Sequence, residues 1–176
     1  MKKLSLNQMT QQAVIAAIYV VLTLSAGDLS FGPVQFRYSE ILNLLAFYNP
    51  LNVLGITLGV FISNLWSTLG WPDLIFGTLH TFISLYLISK TNISKNRTIN
   101  LLIASLWPTI FAFIIGFELS VIAKFDSFFI MTYQVMISEF VIMTIISVPV
   151  YLLLEKYKEF INLIGDDYRL KQINLR

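Results

Sequence analysis

The stretch ILNLLAFYNPLNVLGITLGVFISNLWSTLGWP, residues 41–72, runs for 32 residues without a charged side chain. A membrane-spanning helix needs about 20 apolar residues, so the run reads either as one long helix or as two short ones. Asn49-Pro50 interrupts it, and a residue before proline is biased away from helix. Outward from this stretch, residues 4–27, 74–89 and 98–117 are also free of charge, and residues 127–154 carry only Glu139. Each reads as one helix; the last is long or tilted. The short 74–89 run gains length from Trp71-Pro72-Asp73, where Asp73 is placed to cap the first backbone N–H groups.

The distribution of basic residues decides between five helices and six. With two helices in 41–72 and the N-terminus inside, Lys2, Lys3, Lys90, Lys95, Arg97, Lys156, Lys158, Arg169, Lys171 and Arg176 are cytoplasmic, and only Arg37 and Lys124 are outside. With one helix there, the Lys90–Arg97 cluster moves outside. Cytoplasmic loops collect Lys and Arg, so the expectation is six transmembrane helices with both termini cytoplasmic. Residues 41–48 are too short to span at about 1.5 Å per residue, which predicts that the second helix begins near Pro33, a good first-turn residue. Arg37 and Glu40 then share a face in its first turns.

Composition agrees with a membrane class. Of the 176 residues, 56% are hydrophobic and 12% charged, against about 25% charged in a soluble domain; mean hydropathy is +0.73. A disordered chain is excluded, and the expectation is an all-α integral membrane protein of one domain, residues 1–176. The net charge of +2 gives no electrostatic footprint for nucleic acid. Residues 1–27 have a signal-like Lys2-Lys3 start, but their apolar stretch exceeds the usual h-region of about 7–15 residues. The charged, amphipathic tail 155–176 reads as the cytoplasmic end of helix six.

The chain has no cysteine and one histidine, which leaves no thiolate site and no zinc site of the usual kind. No glycine precedes a lysine, so there is no phosphate-binding Walker loop, and no Gly-x-Ser-x-Gly elbow is present. The informative residues are polar groups inside spans, which a bilayer penalises. Asn64 and Trp66 end helix three. Asp73, Gly77, His80 and Ser84 form one stripe of helix four. Helix five carries Ser105, Trp107-Pro108, Thr109, Ala112 and Gly116, then Glu118; Pro108 frees the Ala104 carbonyl. Helix six carries Tyr133, Gln134, Ser138 and Glu139. Arg37, Glu40, Asn64, Asp73 and Glu118 lie toward the outer ends; His80, Trp107, Gln134 and Glu139 lie deeper. Closed into a bundle, they line an outward-opening cavity suited to a flat heterocycle with several N–H donors, with carboxylates to accept them and aromatic rings to stack. Ala13 and Ala17, four apart on helix one, are either internal packing or a docking face; Gly55, Gly59 and Ser63 on helix three read as internal packing.

Phe31-Gly32-Pro33-Val34-Gln35-Phe36-Arg37-Tyr38-Ser39-Glu40 resembles the QueT family of queuosine-precursor transporters, substrate-binding S components of energy-coupling factor (ECF) transporters. The family signature is close to Gly-Pro-Ile-Gln-Phe-Arg-x-Ser-Glu, with Val34 the departure here. The resemblance continues through Gly59–Leu65, Asp73–Leu79, Trp107-Pro108, Gly116–Leu119 and Ser138-Glu139-Phe140. Ala112 stands where an asparagine is expected, and Ser138 where a glycine is. The resemblance implies a six-helix S component of the prokaryotic cell membrane, with no cofactor of its own. It implies binding of a 7-deazaguanine-type base from outside, a membrane coupling subunit docking at Ala13 and Ala17, and two cytosolic ATPases that use ATP. The implied ligand contacts are Phe36, Arg37, Glu40, Asn64, Asp73, His80, Trp107, Glu118, Gln134 and Glu139. Glu139 is the first choice to read the ring edge, with Glu40 or Glu118 second. Trp107 or Phe36 is the aromatic platform, Arg37 pairs with Glu40 in the empty state, and loop 27–36 closes over the ligand. Two alternatives stay open: an S component for another vitamin-like heterocycle, and a membrane enzyme using Glu139 with a second carboxylate.

Overall fold

The structure, a computed structural model, describes residues 4–32 and 35–164. Every element among those residues is helical. Helix α1 (Leu6–Ser25) opens on a capping box, in which Gln8 N–H donates to Ser5 Oγ (3.3 Å) and Ser5 N–H to Gln8 Oε1 (2.9 Å). After the short α2 (Asp28–Phe31), a 3-10 helix (Tyr38–Leu44) runs into α3 (Leu45–Tyr48), and α4 (Asn52–Asn64) follows. A π turn (Asp73–Gly77) leads into α5 (Thr78–Lys90). Helix α6 (Arg97–Phe111) is capped by Asn96, breaks at Ala112, and resumes as α7 (Phe113–Phe117) and a π turn (Glu118–Ile122). Helix α8 (Phe128–Glu139), a π stretch (Phe140–Ser147) and α9 (Val148–Leu154) form one long rod, and α10 (Lys158–Ile164) ends the described chain.

Among the described residues, three helices are long and apolar enough to cross a bilayer: Leu6–Ser25, Arg97–Ile122 and Phe128–Leu154. They coincide with three of the expected spans. The break at Asn49-Pro50 is also present, between α3 and α4. The polarity is that of a chain facing lipid. Leu6, Met9, Val14, Val21, Leu54, Leu58 and Ile75 are exposed, whereas Arg37, Glu40, Asp73, His80, Glu118 and Glu139 are buried.

The second helix differs from expectation. Pro33, its proposed first residue, lies outside the described residues. Residues 35–37 are not helical, and the helix starts at Tyr38. The cause is local: Gln35 adopts φ +47, and Gln35 N–H and Phe36 N–H are turned back to Gly32 O (2.9 Å) and Leu29 O (2.8 Å). Arg37 therefore precedes the helix rather than sharing a face of it with Glu40. Asp73 does not cap its helix either; no side chain caps that terminus, because the Asp73 carboxylate is engaged elsewhere. Of the amphipathic tail, 165–176 lies outside the described residues.

Two contacts fix the frame. Gly55 and Gly59 of α4 press against Gln12, Ala16 and Tyr19 of α1; a Cβ at Gly55 would come within 2.7 Å of the Gln12 carbonyl oxygen. This is the internal packing expected of that stripe. Gln12 Nε2 donates to Asn52 Oδ1 (3.0 Å), Gly55 N–H to Gln12 Oε1 (3.1 Å), and Asn52 Nδ2 to Leu45 O (3.0 Å). At the start of α6, Arg97 Nε donates to Glu155 Oε1 at 2.8 Å, and Tyr48 Oη donates to the same oxygen at 2.7 Å. The Arg97 guanidinium also lies over the Tyr48 ring, 5.0 Å from its centre. Ala13 and Ala17 take no part in this packing and are exposed on the outer face of α1.

Candidate binding site

Arg37 is the centre. It is 2% exposed, and three features hold it. Its Nε donates to Ser30 O (2.9 Å), its guanidinium lies 5.6 Å from the centre of the Phe31 ring, and its Nη2 is 3.9 Å from Asp73 Oδ1. The partner is thus Asp73, not the expected Glu40. Asp73 is fully buried and serves several elements at once. Its Oδ1 accepts from Gln35 Nε2 (3.3 Å), its Oδ2 accepts from the Ser67 hydroxyl, and its backbone carbonyl accepts from Asn64 Nδ2 (2.8 Å). Gly77, one helical turn on, leaves room for this group: a Cβ there would lie 2.8 Å from Asn64 Nδ2 and 3.7 Å from Arg37 Nη1.

Two carboxyl pairs flank Arg37. Glu118 lies beside Asp73, and Glu139 lies beside Glu40. Carboxylates that close repel unless a cation, a shared proton or ligand N–H donors stand between them. Arg37 Nη2 and Asn64 Oδ1 are buried without a hydrogen-bond partner among the described residues, while Glu118 and Glu139 meet the carboxyls of Asp73 and Glu40. Buried polar groups are ordinarily satisfied, because an orphan costs about 1–3 kcal/mol. Unpartnered groups and paired carboxyls around one guanidinium mark this cluster as the candidate binding site.

Of the residues expected at the site, Arg37, Glu40, Asn64, Asp73, Glu118 and Glu139 are gathered here. His80 borders the group, with Nε2 4.0 Å from Glu139 Oε1, but its N–H is committed to the Pro108 carbonyl at 3.0 Å. Past that carbonyl the helix breaks, and Ala112 N–H turns to Thr109 O (3.4 Å). Gln134 is half-buried with Oε1 unpartnered, and Phe36 is half-buried edge-on to Tyr38. Trp107 is not brought to the group. Its indole donates to Thr91 Oγ1 (2.9 Å) and packs on the core around Tyr48 and Leu101; Asp73 and Thr91 lie at opposite ends of one helical stretch.

Gln35 was not singled out as a contact from sequence, and Ser138 was noted only as a polar residue of helix six and a departure from the family pattern. Gln35 is buried in the left-handed region and reaches Asp73; its place in the motif was visible, its orientation was not. Ser138, the departure from an expected glycine, places its hydroxyl on the Gln35 carbonyl (3.3 Å) and so ties that loop to the helix bearing Glu139.

Comparison with known proteins places the chain in a lineage. An 89-residue stretch, 49% of this chain, is 43% identical to "Queuosine precursor transporter QueT" of Lactococcus lactis subsp. cremoris (strain MG1363) and covers 52% of it. The alignment thus spans about half the length of that curated relative. No solved structure matches. The family model for the QueT transporter matches residues 9–156, so the chain belongs to the QueT transporter family.

Proposed function

We propose that the protein is the substrate-binding membrane subunit of an ECF-type importer, and not an enzyme, and that it captures a queuosine precursor of the 7-deazaguanine class outside the cell. The observation that carries this reading is the buried cluster of four carboxyls, Glu40, Asp73, Glu118 and Glu139, around Arg37 in a chain of this family. Glu139 reads the ring edge: adjacent N–H donors of a deazaguanine meet a carboxylate as a parallel pair. As the family resemblance implies, uptake is driven by a coupling subunit and two cytosolic ATPases, and the lack of a Walker loop in this sequence agrees with that division of labour. The coupling subunit docks on the small-residue face at Ala13 and Ala17, which is exposed and lets a second helix approach closely. Mass spectrometry of the ligand retained by detergent-solubilised protein tests the reading. A 7-deazaguanine is expected; another heterocycle would redirect the substrate, and a chemically altered product on incubation would make the chain an enzyme.

In this reading the chain is a multi-pass protein of the prokaryotic cell membrane. It crosses six times with both termini and the Lys90–Arg97 loop in the cytoplasm, which keeps ten of the twelve basic residues inside. A single cysteine at Asn96, in a chain that has none, should resist impermeant reagent in intact cells. Labelling from outside would reverse the topology.

A further inference from the structure

Away from the carboxyl cluster, a groove of about 370 Å³ opens between the start of α4 and the end of α5. Pro50, Leu51, Val53 and Leu54 form one wall, and Tyr86 and Lys90 the other. Ser89 also lines it, but donates its hydroxyl to the Tyr86 carbonyl (2.7 Å). Leu54 and Tyr86 are exposed, so the groove lies on the lipid-facing side of the bundle rather than in its core. Its volume falls in the range of about 300–1,000 Å³ that holds a bound small molecule. Lys90, the last residue of α5, supplies the charge. It is exposed, its ammonium stands 5.7 Å from the centre of the Tyr86 ring, and among the described residues no carboxylate pairs with it. Beside it α4 starts without a side-chain cap, so the positive end of that helix dipole adds to the ammonium. Apolar walls, a phenol ring at their rim and a cation at the mouth follow the order of a lipid: acyl chain, interface, anionic headgroup.

We infer that this groove holds an anionic phospholipid, with an acyl segment along Pro50, Leu54 and Tyr86 and the phosphate at Lys90. An apolar helix of a partner protein would fill the walls but leave the ammonium without an anion. In the topology proposed above the leaflet is the inner one, whose surface is negative. The choice of leaflet rests on that topology and the lipid site does not. Labelling at Asn96 from outside would move the site to the outer leaflet without altering the affinities measured below.

The test is native mass spectrometry of the delipidated, detergent-solubilised full chain, titrated with dioleoyl phosphatidylglycerol or dioleoyl phosphatidylcholine. The anionic lipid should bind roughly 5-fold tighter, the factor expected for one basic residue near a headgroup. Lys90→Gln should erase that preference and Lys90→Arg should keep it. Lys156→Gln, at an exposed lysine off the groove, should also keep it, and Leu54→Trp, which fills one wall, should weaken both lipids alike. Equal affinities in the unmodified protein, or a preference that survives Lys90→Gln, would overturn the inference. So would loss of the preference in Lys156→Gln, which would make it diffuse surface charge, and displacement of the lipid by inorganic phosphate, which would leave an anion site without a chain. If Leu54→Trp keeps both lipids but abolishes copurification with the coupling subunit, the groove belongs to a protein partner and the inference fails.

Discussion

Among the described residues, two arginines are packed into this protein, each over an aromatic ring and each facing a carboxylate, and they are treated differently. Arg97 meets Glu155 at 2.8 Å, and the Tyr48 hydroxyl completes the same oxygen at 2.7 Å. Arg37 stands 3.9 Å from Asp73, keeps Nη2 unpartnered, and is surrounded by four buried carboxyls. The first cluster is closed, and its role is complete once the helices meet. The second is open: it holds more acid than one guanidinium matches, at a free-energy cost that packing elsewhere must offset. We read the first as a network that specifies the structure and the second as the candidate ligand site.

That contrast is sharpest where one side of it is broken. Arg97→Ala should strip Glu155 of its cation in a mostly buried place and destabilise the fold by about 3 kcal/mol, read as a fall in Tm of the detergent-solubilised protein. Ligand affinity of the surviving folded fraction should be unchanged. Glu139→Gln should do the opposite: affinity for the ligand falls roughly 10- to 150-fold, about 1.5–3 kcal/mol, with Tm of the empty protein held or raised, since an amide is easier to bury than an unpaired charge. If Glu139→Gln lowers Tm as Arg97→Ala does, the open cluster is structural after all.

Gly55→Ala extends the comparison to the closed seam between α1 and α4. The added methyl meets the Gln12 backbone, and overpacking of that kind costs about 1–3 kcal/mol, again read in Tm and not in affinity. The smallest effect on the isolated chain belongs to Ala13→Leu. Its exposed position predicts a stability change within about 0.5 kcal/mol and intact ligand binding, together with loss of copurification with the coupling subunit. Retained assembly would return that face to the lipid.

The same contrast explains what the sequence disclosed. The Asn49-Pro50 break and the Asp73, Gly77, His80 and Ser84 stripe are legible in residue order and spacing, which periodicity reports directly, whereas the spacing of Ala13 and Ala17 left packing and docking both open and the structure shows the pair exposed. The partners of Arg37 and Asp73 are not legible in that way. They depend on the path of residues 32–37, where Gln35 turns into the left-handed region and the helix is delayed to Tyr38. Residue type therefore identified Asp73, Glu118 and Glu139 as buried and chemical, but it assigned Asp73 to a backbone cap and Arg37 to Glu40. Trp107 misled for a related reason: an indole on a polar-lined helix suggests a ring platform, yet the Thr91 hydroxyl satisfies its N–H at the other end of the bundle.

Glu118 is tied to the rest of the site through one carboxyl, that of Asp73 beside it. A side chain with so few dependants is exchanged at little cost to its surroundings. Asp73, by contrast, anchors Gln35, Ser67 and Asn64 together, and any exchange there must be compensated at several positions at once. Exchange at position 118 therefore disturbs the fold less than exchange at position 73 does.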